Sequence, residues 1–274
     1  MADAVRMPVS PRTSGRGRAA LAGVAVGLAL VPIVLALELS RGGGATAQTT
    51  TTVSEAAIFN PGQMPKLSPP NYLIPPGRGT LVAIVNRSTT MRSRPGGRAY
   101  GRLGLQTSFG SPQAVWVVKL RGAWLGVISA VAGNGHVGWI PAASASLARV
   151  NWKLEVSLSA RRLIVLHAGR MVERYKVAVG KPSAPTPTGR FAVTDHLLTG
   201  DPAGPYGCCI LALSAEAPHA IQDWSGGNRI AIHSTPETSS IGLPVSHGCL
   251  RLTLAEGRWL LAHIPLGTPT LISS

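Results

Sequence analysis

From residue 80 onward, apolar and polar positions alternate in short runs separated by Gly, Pro, Ser and Asn, the pattern of strands joined by tight turns. Residues 81–85 form the first run. Residues 114–120 and 124–129 flank a turn at Arg121-Gly122, and 137–140 follow another at Asn134-Gly135. Residues 162–167 and 171–179 predict a hairpin around Ala168-Gly169. Further strands are expected over 190–194, 208–213, 229–233, 249–253 and 268–272, with 195–207 a long loop carrying Tyr206. One helix is expected: Thr253 and Glu256 match a capping box, and Pro265 ends the helix near Ile264.

The N-terminal pattern is different. Residues 19–37 are apolar without a charge, long enough to span a bilayer as a helix. Arg6, Arg12, Arg16 and Arg18 precede them, so the positive-inside rule leaves the N-terminus in the cytoplasm and exports the rest. Ala45-Thr46-Ala47 resembles a cleavage site, so the segment is a signal-anchor or a removed signal. The expected class is mainly β. Residues 1–39 hold the cytoplasmic tip and membrane helix, and 40–79 a disordered Pro-, Gly- and Thr-rich linker. Residues 80–149 form a small β-barrel, and 152–273 a β-rich domain with the short helix.

Charge narrows the partners. The 274 residues carry 26 Lys and Arg against 11 Asp and Glu, a net +15, which suits nucleic acid, a membrane face or an acidic wall polymer. Zinc-finger spacing, a basic helix and an aromatic stacking set are all missing from the sequence, which argues against nucleic acid. No acid occurs between Glu55 and Glu155, while eleven Lys or Arg do. That module either holds an anionic cell-wall polymer or is merely a soluble basic surface. Its Trp116, Trp124 and Trp139 are expected in the core.

Three cysteines are too few for a disulfide scaffold. Cys208 and Cys209 are adjacent, are expected not to bridge, and read as small apolar strand residues. Cys249 is different, because it follows Ser246-His247-Gly248 and opens a strand, while His233 closes another. Side by side, the two strands would pair a nucleophile with its base. A free thiol has a pKa of about 8.5, so the imidazole either takes the proton at attack or forms a thiolate–imidazolium pair. Gly248 permits a tight turn and close approach of a substrate, and N–H groups of the 247–249 turn could face an oxyanion. His247 is only two residues from Cys249, so its side chain is expected to support the turn or polarise the pocket. Arg251 shares the strand face of Cys249, where it would pair with a substrate carboxylate or form a structural ion pair. No metal-ligand spacing is present, so neither metal nor cofactor is expected.

His233-Ser234, Ser246-His247-Gly248-Cys249-Leu250-Arg251 and Thr186-Pro187-Thr188-Gly189-Arg190-Phe191 together resemble the signature of the L,D-transpeptidases with a YkuD-like catalytic domain, over residues 152–273. Residues 90–95 and Gly138-Trp139-Ile140 are similar to segments of bacterial SH3-like domains. The first resemblance implies Cys249 as nucleophile and His233 as base, oriented by the carbonyl of Ser234. It implies a mobile flap near residues 195–207, where Tyr206 would meet substrate. The implied reaction is attack on the third residue of a peptidoglycan stem tetrapeptide, release of D-alanine, and a 3→3 cross-link outside the cell. Carbapenems would acylate the same thiol. Water as acceptor would make the protein an L,D-carboxypeptidase, and a decayed pair would leave a non-catalytic wall binder.

Overall fold

The alternating runs gather into two sheets because each strand turns one row of aliphatic side chains inward. The computed structural model describes residues 72–217 and 228–274. Its first sheet contains β1 (Thr80–Val85), β2 (Thr89–Arg92), β3 (Ala99–Leu103), β4 (Ala114–Arg121), β5 (Trp124–Ile128), β6 (Gly138–Pro141) and β7 (Ala145–Val150). They lie in the order β3-β2-β6-β5-β4-β1-β7, antiparallel throughout.

The core of this sheet corrects one expectation. Met91, Leu103, Val115, Val117, Leu125 and Ile140 fill it, while Trp116, Trp124 and Trp139 are only half-buried. The pleat explains this: Trp116 lies between inward-facing Val115 and Val117, so it faces out. The Arg190 guanidinium sits 5.9 Å from its ring centre. The end of the expected linker is also seated on this sheet. Tyr72 donates its hydroxyl to the carbonyl of Gly122 at 2.7 Å, and Arg149 donates to the carbonyls of Pro75 and Gly79. The apolar segment 19–37 lies outside the described residues, among which no helix is long and apolar enough to cross a membrane.

The second half supplies β8 (Trp152–Ser157), β9 (Arg162–His167), β10 (Arg170–Lys176), β11 (Val179–Gly180) and β12 (Gly189–Leu198). These are followed by β13 (Cys209–Glu216), β14 (Arg229–Ser234), β15 (Pro244–Ser246), β16 (Leu250–Leu252), α1 (Leu254–His263) and β17 (Pro269–Ser273). Eight strands form one sheet in the order β10-β9-β8-β17-β12-β13-β14-β16, and β11 pairs with β15. Strand β12 runs on through Leu198 because residues 195–198 pair with β13, so the expected loop shortens to 199–208.

The two faces of this sheet have different jobs. Leu211, Leu213, Ile230, Ile232, Leu250 and Leu252 form a buried face that joins Leu260 and Ile264 at the helix in one core. Each such side chain contributes about 1.5–3 kcal/mol by leaving water. On the other face, cross-strand pairing aligns Asp195 with Ala212 and Ala231, and Leu197 with Ile210, His233 and Arg251.

Helix α1 begins with the expected capping box: the Thr253 hydroxyl accepts from the Glu256 N–H, and the Glu256 carboxylate accepts from the Thr253 N–H. Thr253→Ala is expected to cost about 1 kcal/mol, read as a melting temperature lower by roughly 2–4 °C.

Candidate active site

Parallel pairing of β14 with β16 sets His233 opposite Arg251 and Ile232 opposite Leu250. Cys249 precedes Leu250, so it continues the row that passes through Ala231, on the same face as His233. His233, Cys249, Arg251, Tyr206 and His247 line a common cavity of about 110 Å³. Cys249 as a whole is half-buried, and His233 is 3% exposed.

The imidazole is held in one orientation. Nδ1 of His233 lies 2.8 Å from the carbonyl of Ser234. A carbonyl can only accept, so Nδ1 carries the hydrogen and Nε2 keeps its lone pair. Burial pushes the His233 pKa down to about 4; the Ser234 bond opposes this, and the charge of Arg251 adds to it. Burial also pushes the Cys249 thiol up, against a backbone hydrogen bond with Ala231 and the pull of Arg251. Both shifts favour a neutral thiol and a neutral imidazole over a thiolate–imidazolium pair at rest. The Tyr206 ring lies 4.8 Å from that of His233, and burial together with Cys249 raises its phenol to about 12. It stays protonated at neutral pH.

Sequence reasoning assigned no role to Ser246 and Thr186, which hold the turn before the thiol. The Ser246 hydroxyl donates to the Cys249 carbonyl at 2.6 Å and accepts the Gly248 N–H at 3.1 Å. Thr186 donates to the Gly248 carbonyl at 2.8 Å and accepts the Gly180 N–H at 2.9 Å. The Gly248 N–H is thus committed to the turn, which corrects its expected place facing an oxyanion. Gly248 has φ +117, a conformation that strains any other residue, and a Cβ there would also crowd the tip of Ile230 at 2.8 Å. The signal for Ser246 was its position two residues before a strained Gly. Ser246→Ala is expected to cost about 1–3 kcal/mol and to lower turnover about tenfold, checked by melting and kcat together.

A family model described as the YkuD L,D-transpeptidase catalytic domain matches residues 151–272. Over 124 residues the chain is 32% identical to the putative L,D-transpeptidase YkuD of Bacillus licheniformis, a match covering 45% of this chain and 67% of that protein. This chain belongs to the L,D-transpeptidase family. It is also 30% identical over 128 residues to the putative L,D-transpeptidase YqjB of Bacillus subtilis, covering 43% of this chain and 69% of that one. With L,D-transpeptidase 1 of Mycobacterium tuberculosis it shares 31% over 124 residues, 41% of this chain and 47% of the other.

Around the L,D-transpeptidase signature, the remaining side chains fall into place. Lys181 Nζ lies 3.1 Å from Nε2 of His247, so that imidazole is turned toward Lys181. Arg251 makes a loose ion pair with Glu237 at 3.8 Å, and its buried Nε has no partner among the described residues. Arg229, unassigned from sequence, also lines the cavity; one of its amino groups donates to the Leu213 carbonyl. Cys208 and Cys209 depart from expectation by forming a disulfide. Cys208 lies outside β13, where the loop meets the strand, so both residues are not held in one flat ladder. The Ser234 hydroxyl sits 3.4 Å from Cys208 Sγ and accepts the Cys209 N–H. Among the described residues no cluster of three or more His, Cys, Asp or Glu could hold a metal.

Proposed function

We propose that this protein is an L,D-transpeptidase that forms 3→3 cross-links between peptidoglycan stem peptides. The observation that carries this reading is one basic Nε2 on the same sheet face, and in the same cavity, as the Cys249 thiol. Cys249 sulfur attacks the carbonyl of the third stem residue while His233 Nε2 takes the thiol proton. The oxyanion lies against the N–H groups of His247 and Cys249, since that of Gly248 is engaged. Collapse breaks the peptide bond, and Nε2 returns the proton to the departing D-alanine amine. The side-chain amine of a second stem then attacks the thioester, gives its proton to Nε2, and releases the thiol. Tyr206 and Arg251 hold the donor, with the Arg251 guanidinium meeting a carboxylate in the cavity it lines.

The same reading places the reaction outside the cytoplasmic membrane, with residues 1–39 as a signal-anchor and 80–149 as an SH3-like module. A basic hollow on the first sheet, lined by Arg92, Arg102 and Trp124 among others, supports contact of that module with an anionic wall polymer. Incubation with purified tetrapeptide muropeptides tests the reaction. Dimers with release of D-alanine, made only when Cys249 is present, are expected. Free tripeptide alone would indicate L,D-carboxypeptidase action, and no Cys249-dependent change would leave only a wall binder.

A further inference from the structure

Phe109 belongs to the first sheet's loop between β3 and β4, yet it lines an apolar hollow of about 70 Å³ beside Cys249. Leu197, Ile210, Ala212 and Ala231 form the floor, the same aligned rows of β12, β13 and β14 that lead to the thiol. The loop is folded back on itself: Gln113 donates to the Leu105 carbonyl at 2.8 Å and Thr107 to the Ser111 carbonyl at 2.9 Å. The Thr107 hydroxyl gathers the N–H groups of Phe109 and Ser111 and donates to the carboxylate of Asp195. Asp195 is fully buried and stands in the row through Ala212 and Ala231. A side chain of the first sheet is therefore tied over the second sheet's chemistry.

We propose that Phe109 determines donor specificity, closing a subsite for the aliphatic side chain of the stem residue whose carbonyl is attacked. This rests on the acyl-transfer reading above. The side chain on that residue leaves one bond from the reacting carbon, so it enters whichever cavity adjoins the sulfur. Of the two cavities that Cys249 lines among the described residues, the one with His233 and Arg251 presents more polar groups and suits the peptide and the leaving end. The other is walled mostly by aliphatic and aromatic groups across three strands, with Arg229 and Cys249 at its edge, which fits an extended methylene chain better than a methyl group. Phe109 remains 39% exposed, so its ring is available to a ligand rather than spent in the core.

The test compares tetrapeptide donors carrying a long diamino acid or alanine at the third position. Phe109→Ala is expected to raise KM for the long donor roughly tenfold, to leave kcat nearly unchanged, and to leave the alanine donor untouched. Phe109→Leu should restore most of the preference, and Thr107→Val, which unhooks the loop, should reproduce the loss. Calorimetry on the Cys249→Ala protein reads the same subsite without turnover: adding Phe109→Ala should weaken the long donor about tenfold. An unchanged ratio of long to short donor, in kinetics or in binding, overturns the inference. Absence of Cys249-dependent turnover would instead overturn the acyl-transfer reading, while the binding ratio still decides the role of Phe109.

Discussion

Alanine in place of Cys249 is expected to lower turnover of a tetrapeptide donor by at least about 10³-fold, with little change in donor binding. The thiol is the atom that bonds to the substrate, so nothing else in the cavity replaces it. Exposure to a carbapenem and intact mass analysis checks this independently. The wild-type chain should gain one drug mass located on Cys249, and the variant none. A variant that still cross-links, or an adduct elsewhere, would end the assignment. Because burial raises the thiol, alkylation by iodoacetamide should stay slow from pH 5 to 8 in the absence of substrate.

The second large effect concerns His233 and pH. Its imidazole titrates near 6.5 in the unfolded chain and at about 4 in the folded one. Between those values the unfolded chain holds a proton that the native chain lacks, so stability rises with pH through this window. Acidification from pH 7 should therefore remove about 3 kcal/mol, most of it between roughly pH 6.5 and 4, with the loss levelling off below. His233→Gln should flatten that part of the pH profile while lowering kcat by about 10²–10⁴-fold. In the wild type, the acid limb of kcat/KM should lie near pH 4. An acid limb near 6.5, or a variant with the same pH dependence of melting, would show that the imidazole is not the buried base described here.

Local chemistry decided what could be read without coordinates. The alternation over 229–233 and 249–253, the capping box at Thr253 and the turn at Arg121-Gly122 depend on neighbours in the chain, and all appear in the structure. The orientation of His233 by the Ser234 carbonyl was expected only through the family resemblance, and the structure places that contact at 2.8 Å. What stayed hidden depends on distant pairing. Residues 195–198 look like loop until β13 is laid beside them. Trp116 is an aromatic in a small β region, and only its register between Val115 and Val117 turns it outward. Ser246 and Thr186 meet across the Gly248 turn although they are far apart in sequence. Phe109 offered no chemical signal at all; its place beside Cys249 is created by Thr107 reaching Asp195.

The side chain of Asn134 mimics a strand edge. Its amide nitrogen donates to the Glu216 carbonyl at 2.7 Å and its oxygen accepts the Glu216 N–H at 3.0 Å. With Thr107 on Asp195, this gives the first sheet two separate holds on β12 and β13. Swapping in a first sheet from another two-sheet protein, without residues that match both holds, would leave a polar strand end and a buried carboxylate unsatisfied. Recombination between such proteins is therefore constrained to inherit the β3–β4 loop and the residue at 134 together with the catalytic sheet they grip.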